Sequence, residues 1–160
     1  MKRSAKGFSL IELLIVVAII LIIAAIAIPN LMRSRIAANQ ASAVESLRSL
    51  NTAELTYSST YNQGFSSNLA QLASPASGQL ASSTAAGLID SVLANGAKSG
   101  YSFSYSAATA VNNFTPAYAI NASPLTLGTS GIIYYFTDQS NVIRQNATQV
   151  ASSADSPLAG

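Results

Sequence analysis

The hydrophobic pattern divides the chain into an apolar first part and a mixed remainder. Every side chain from Leu13 to Ile28 is apolar, and the apolar run begins at Phe8. As a helix, residues 8–28 would extend over roughly 31 Å, which matches the thickness of about 30 Å of a bilayer hydrocarbon core. The pattern therefore predicts a membrane-spanning or bundle-buried helix near the N-terminus.

A second pattern continues the predicted helix beyond this run. Apolar side chains recur there at steps of three and four, at Val44, Leu47, Leu50, Ala53, Tyr57 and Tyr61. This spacing indicates an amphipathic helix with one buried stripe. We expect one helix over residues 8–60, roughly 80 Å long at 1.5 Å per residue. Pro29 lies inside it and removes one backbone donor, which predicts a kink.

The pattern of the remaining residues is typical of short helices and strands separated by turns. Short helices are predicted near Leu69–Leu72 and over residues 86–93, and the alternation of aromatic and small residues then predicts strands. The predicted strands cover residues 101–105, 117–122, 132–137 and 142–145, with a hairpin turn across residues 138–141. Three or four antiparallel strands need a partner for their apolar face, and the helix stripe supplies one. The fold class is therefore α+β.

Composition and charge exclude several functions. Hydrophobic residues make up 49% of the 160 residues and charged residues 9%, with a formal net charge of +2. Lys2, Arg3 and Lys6 account for the excess, so the charge predicts a cytoplasmic N-terminus rather than nucleic-acid binding. The chain has no Cys or His, which excludes disulfides, thiolate catalysis and ordinary zinc sites. We therefore expect a structural protein without a cofactor, not an enzyme.

The N-terminal motif is Lys6-Gly7-Phe8-Ser9-Leu10-Ile11-Glu12. A carboxylate at the edge of a membrane segment is costly, so a functional role is expected for it. A cleaved secretory signal, with Ala25-Ile26-Ala27 as its cleavage site, is one interpretation, and a plain signal anchor is another. Glu12 interrupts the apolar region, and the helical pattern resumes directly after Pro29, which favours a third interpretation.

The stretch KGFSLIELLIVVAIILIIAAIAIP resembles the N-terminus of the type IV pilin and pseudopilin superfamily. The resemblance is carried by Gly7, Phe8, Glu12 and Pro29. It implies a pilin-like lollipop fold, and a prepilin peptidase that cleaves between Gly7 and Phe8 on the cytoplasmic face. The same enzyme class would methylate the new amine of Phe8. The family's frequent C-terminal disulfide is impossible in this chain, because the chain has no Cys.

The resemblance also implies a role in assembly for Glu12. Its carboxylate would face the Phe8 amine of a neighbouring subunit and set the register of the polymer. Opposite charges about 4 Å apart attract by about 4 kcal/mol at an effective dielectric constant near 20. The alternative is an intrahelical pair, since the Phe8 amine and Glu12 of one chain lie one helical turn apart.

The predicted organisation is a leader over residues 1–7, a long helix over residues 8–60 and a globular head over residues 61–160. Residues 8–28 would span the bacterial inner membrane and later form the filament core. The implied partners are the prepilin peptidase, identical subunits, an inner-membrane assembly platform with its ATPase, and membrane lipid before assembly. The filament would be periplasmic or extracellular.

Two other functions and one weak site stay open. A pseudopilin of a type II secretion system shares every motif quoted above, and a membrane-anchored periplasmic module that never polymerises is a further alternative. Asp138 and Asn141 in the last hairpin are weak candidates for calcium binding. An ordinary turn rich in Asp and Asn is the simpler explanation of these two residues.

Overall fold

The computed structural model describes residues 8–158. In these residues the helices are α1 (Leu10–Tyr61), α2 (Leu69–Leu72) and α3 (Ser91–Ala94). The strands are β1 (Ala97–Lys98), β2 (Tyr101–Ala107), β3 (Tyr118–Pro124), β4 (Tyr134–Asp138) and β5 (Arg144–Asn146). The chain divides into two compact units, which meet in sequence between Arg35 and Ile36.

Helix α1 is 52 residues long and includes Pro29. Up to Met32 its large hydrophobic side chains are exposed. Further along, the predicted stripe is buried, because Leu47, Leu50, Ala53 and Tyr57 pack in the core of the second unit, with Val44 and Tyr61 half-buried against it. The stripe was therefore correctly predicted. A kink at Pro29 stays a prediction.

The sheet of the second unit is antiparallel and follows the order of the chain. Its five strands pair as β1-β2-β3-β4-β5. The longest pairing joins β2 and β3, where Phe103 faces Ala122 and Tyr105 faces Ile120. Alternate residues of these two strands, among them Tyr101, Phe103, Tyr118, Ile120 and Ala122, are buried in the same core as the α1 stripe. The predicted α+β class with a long N-terminal helix and a small antiparallel sheet is confirmed.

Buried polar side chains connect α1 to the sheet. Asn51 Nδ2 donates to Thr137 Oγ1 at 2.9 Å, and Tyr118 Oη donates to Asn51 Oδ1 at 3.1 Å. All three residues are buried. A buried amide without partners would be costly, so these bonds fix α1 against β3 and β4 in one register.

Two local predictions differ from the structure. The helix expected over residues 86–93 is replaced by extended chain followed by α3. Gly87 has a φ of +70°, and the amides of Ala86 and Leu88 donate to the carbonyls of Gln71 and Leu72, which holds this segment away from a helix. The sheet also contains β1, a two-residue strand too short for its alternation to be visible in sequence.

The edges of the sheet are short and covered. Strand β1 has two residues and ends on the charged Lys98. Strand β5 has three residues, and the C-terminal segment runs along its outer side, where Gln145 N donates to Ser156 O and Leu158 N donates to Ile143 O. Few backbone groups are thus left for pairing with another sheet.

Gly64 is expected to be intolerant of substitution. Its φ is +73°, and a Cβ there would lie 2.1 Å from the carbonyl oxygen of Thr115, which accepts a hydrogen bond from Phe65 N at 3.0 Å. Gly78 is the matched control, because its φ is +83° and a Cβ there would meet nothing within 4 Å.

We expect Gly64→Ala to lower the free energy of unfolding by about 1–3 kcal/mol more than Gly78→Ala. Both variants bear the cost of a positive φ, so the difference between them is the cost of the steric clash. Thermal unfolding of the full chain in detergent, followed by near-ultraviolet circular dichroism of its tyrosines, measures the difference. Equal losses in the two variants would show that the Gly64–Thr115 contact yields without cost.

Candidate functional site

The first unit presents a continuous apolar surface. Helix α1 is long and apolar enough to cross a membrane, and none of its most apolar 18-residue window is buried within the described part of the chain. The exposed side chains include Phe8, Leu14, Ile20 and Ile26. An apolar surface of this extent requires lipid or other helices around it, since soluble monomers rarely expose large contiguous apolar patches.

Glu12 lies at the beginning of this surface and caps the helix. Its Oε2 accepts a hydrogen bond from Ser9 N at 2.9 Å, and Ser9 Oγ accepts one from Ile11 N at 3.3 Å. These contacts follow the pattern of a capping box, in which the residue before the helix and a Glu three positions later each accept a backbone bond. Sequence analysis missed this role, although the Ser-x-x-Glu spacing of residues 9–12 is its usual signal.

The capping bond fixes the carboxylate next to the N-terminal turn. Glu12 Oε1 accepts no hydrogen bond from any residue in the range 8–158, so it is available to a further donor. A negative charge is also favourable at a helix N-terminus, where the backbone dipoles converge. The arrangement can therefore bind a cation presented at this end of α1 while the cap stays intact.

The remaining predicted residues have the following positions. Gly7, and with it the predicted cleavage site before Phe8, lies outside the described residues. Phe8 is the first described residue, with 76% of its side chain exposed. Pro29 is within α1. Processing of Gly7 and Phe8 and an assembly role for Glu12 stay predictions.

The last hairpin contains the two weak metal candidates. Asp138 Oδ1 accepts hydrogen bonds from Ser140 N at 2.9 Å and from Ser140 Oγ. Asn141 has a φ of +59°, and its backbone carbonyl accepts a bond from Asn51. These are the contacts of an Asx turn. Across residues 8–158, no group of three or more His, Cys, Asp or Glu side chains could hold a metal ion.

A buried carboxylate in the second unit was also missed in the sequence. Glu54 is 0% exposed, and its Oε1 and Oε2 accept bonds from Ser66 Oγ at 2.6 Å and Ser66 N at 2.9 Å. Tyr105 Oη donates to Ser66 O at 2.7 Å and completes the cluster. Glu54 occupies a helical position one residue after the stripe position Ala53, so the sequence pattern alone did not mark it as buried.

Burial raises the pKa of the Glu54 carboxyl, and the hydrogen bonds from Ser66 oppose that rise. Burial also raises the pKa of Tyr105, with the nearby Glu54 adding to the effect. Neither ion pair that the described residues contain includes Glu54. Burial thus disfavours the charged form of the carboxyl, and its two hydrogen bonds from Ser66 attach the chain after α1 to the helix.

Residues 2–28 match the family model for the prokaryotic N-terminal methylation motif. This segment carries that motif. No solved structure matches the chain.

Two curated relatives are similar to part of the chain. A stretch of 37 residues is 68% identical to the type IV wide pilus major component PilA4 of Thermus thermophilus, covering 23% of this chain and 28% of that protein. A stretch of 52 residues is 50% identical to the type IV major pilin protein PilA of Myxococcus xanthus, covering 32% of this chain and 24% of that protein. The chain thus spans about a quarter of the length of these relatives, and the likeness to type IV pilins covers less than a third of this chain.

Proposed function

We propose that this protein is a structural subunit of a type IV pilus filament, with a role that is not catalytic. The observation that carries the proposal is the combination of the methylation motif over residues 2–28 with the exposed apolar surface of the first part of α1, where Glu12 caps the helix. Both curated relatives are named as major components of type IV pili. An exposed apolar helical segment of this length suits a polymer whose core is made of helices.

The proposed pathway begins with a precursor in the bacterial inner membrane, with its N-terminus in the cytoplasm. Lys2, Arg3 and Lys6 favour this orientation by the positive-inside rule. A prepilin peptidase cleaves after Gly7 and methylates the Phe8 amine, and an assembly platform with its ATPase then adds subunits to the filament. Glu12 pairs with the Phe8 amine of a neighbouring subunit, using the oxygen that the cap leaves available.

A pseudopilin of a secretion system remains the second candidate function, because the methylation motif and the apolar helix serve it equally well. Deleting the gene separates the two. Loss of surface fibres supports the pilus subunit. Retention of enzymes that are normally secreted, with fibres unchanged, supports the pseudopilin and contradicts our proposal.

The mature N-terminus provides the direct test of processing. We expect the protein isolated from fibres to begin at Phe8 and to carry one additional methyl group, which intact-mass and N-terminal peptide mass spectrometry measure. A Gly7→Leu precursor, whose side chain hinders close approach of the backbone to an active site, should accumulate uncleaved. A mature chain that begins at Ile28 would instead show an ordinary secretory signal.

A further inference from the structure

The connection between β3 and β4 exposes large hydrophobic side chains. Leu125, Leu127 and Ile132 are 61%, 58% and 49% exposed. No charged residue occurs between Pro124 and Thr137. We call residues 125–132 the apolar loop. Apolar side chains of this size at a loop tip are unfavourable in water, so a partner surface for them is expected.

The apolar loop is held in a defined conformation. Thr126 O accepts hydrogen bonds from the amides of Thr129 and Ser130, and Thr126 N donates to Ser130 Oγ at 3.0 Å. Gly128 N donates to Gly131 O at 2.9 Å. The leucines therefore extend from a pre-organised turn, and little conformational entropy is lost when they enter another phase.

The apolar loop lies beside the first turns of α1 within the second unit. Asn39 Nδ2 donates to Ser130 O at 2.8 Å. Asn39 lies seven positions after Met32. Met32 is the last of the large exposed hydrophobic residues in the first part of α1. Seven residues can extend over at most about 25 Å, so Asn39 follows the apolar segment after a short covalent tether.

We propose that the apolar loop inserts into the headgroup region of the lipid bilayer while the subunit is anchored in the membrane. The inference rests on the membrane-anchored stage of the proposed function and does not need polymerisation. Side chains such as leucine enter an interface to a depth of about 5–10 Å, which suits a loop without charge.

A lipid surface explains the apolar loop better than a second copy of the chain does. A stable protein interface buries about 800 Å² and about 20–30 residues per partner, whereas this patch consists of three side chains. Three apolar side chains are sufficient for shallow interfacial contact, because the transmembrane tether already holds them at a high local concentration of lipid.

Single-cysteine labelling of the full chain tests the proposal, since the natural sequence has no Cys. Leu127→Cys, carrying an environment-sensitive fluorophore, is reconstituted in lipid nanodiscs whose headgroups bear nitroxide quenchers. Leu80→Cys is the matched control. Leu80 is an exposed leucine near Ser83, whose carbonyl accepts a bond from Tyr57 Oη, roughly 27 Å further along α1 than Asn39 at 1.5 Å per residue.

We expect quenching at position 127 to exceed that at position 80 by at least about threefold, and to persist in 1 M NaCl because an apolar contact is not screened. Equal quenching at both positions overturns the proposal. Protection at position 127 that disappears when the protein is diluted in lipid indicates a second copy and also overturns it. A label at Ile20→Cys reports the anchorage itself, so a failure of the membrane-anchored stage is recognised separately.

Discussion

Cells that make only the Glu12→Ala variant are expected to assemble no surface fibres, although the variant accumulates in the inner membrane and is cleaved after Gly7. The proposed attraction between Glu12 and a neighbour's Phe8 amine would amount to about 4 kcal/mol at 4 Å, so its loss should lower incorporation about a thousandfold. Electron microscopy of sheared fibres and immunoblots of the membrane fraction measure the two quantities.

The capping bond makes Glu12→Gln the decisive control. The side-chain oxygen of a glutamine can still accept the hydrogen bond from Ser9 N, which is 2.9 Å long in the structure. The variant therefore preserves the capping box and removes only the charge. We expect Glu12→Gln to fail in assembly nearly as completely as Glu12→Ala. If the glutamine variant forms normal fibres, the carboxylate acts by holding the helix start and not by pairing with a charged amine. Glu45→Ala, an exposed change on the same helix, controls for non-specific effects.

The second large effect is expected at Glu54. Glu54→Ala leaves the amide of Ser66 buried without its acceptor and removes the nearest acceptor of the Ser66 hydroxyl, which should lower the free energy of unfolding by about 3 kcal/mol in mild acid. The cost should shrink as the pH rises. Because burial raises the Glu54 pKa, the folded chain keeps its proton at pH values where the unfolded chain has released it.

The sign of this pH dependence follows from the direction of the shift. Below the ordinary pKa of a glutamic acid, both states are protonated and the stabilisation by Glu54 is fully present. It is lost as the pH rises through the raised pKa of the folded state, because the folded chain must then bury a charge. Chemical denaturation of the full chain in detergent at a series of pH values measures the trend.

Two variants test the assignment of this trend to Glu54. Glu54→Gln should flatten the pH dependence of stability, since the amide does not titrate. Glu45→Gln, at an exposed carboxylate of α1, should leave it unchanged. A slope that survives in Glu54→Gln would place its origin in another group.

The sequence predicted the elements whose signals are local and periodic. The apolar run, the stripe from Val44 to Tyr61 and the alternation in β2 each repeat often enough to define a face, and the structure has them close to the predicted bounds. The N-terminal methylation motif could be recognised from the sequence because its residues are contiguous and do not depend on distant parts of the chain.

The features that sequence analysis missed depend on pairs that are distant in the chain. Glu54 is buried because Ser66 returns to it after α1 ends, and Asn51 because Thr137 is placed opposite it by the sheet. Neither residue differs in sequence context from an exposed helical polar residue. The capping role of Glu12 is the exception. Its spacing of three residues from Ser9 is visible in the sequence, but the sequence analysis considered only the amine of Phe8 as a partner for Glu12.

The short edge strands of the sheet limit aggregation at high local concentration. A filament would bring very many heads side by side at a concentration where exposed ladders readily recruit one another into amyloid-like stacks. One edge of the sheet ends on the charged Lys98, and the C-terminal segment covers the other edge at β5. Few backbone groups are therefore exposed for pairing with the sheet of another subunit. Subunits can then be crowded together through their apolar helices while their sheets remain separate.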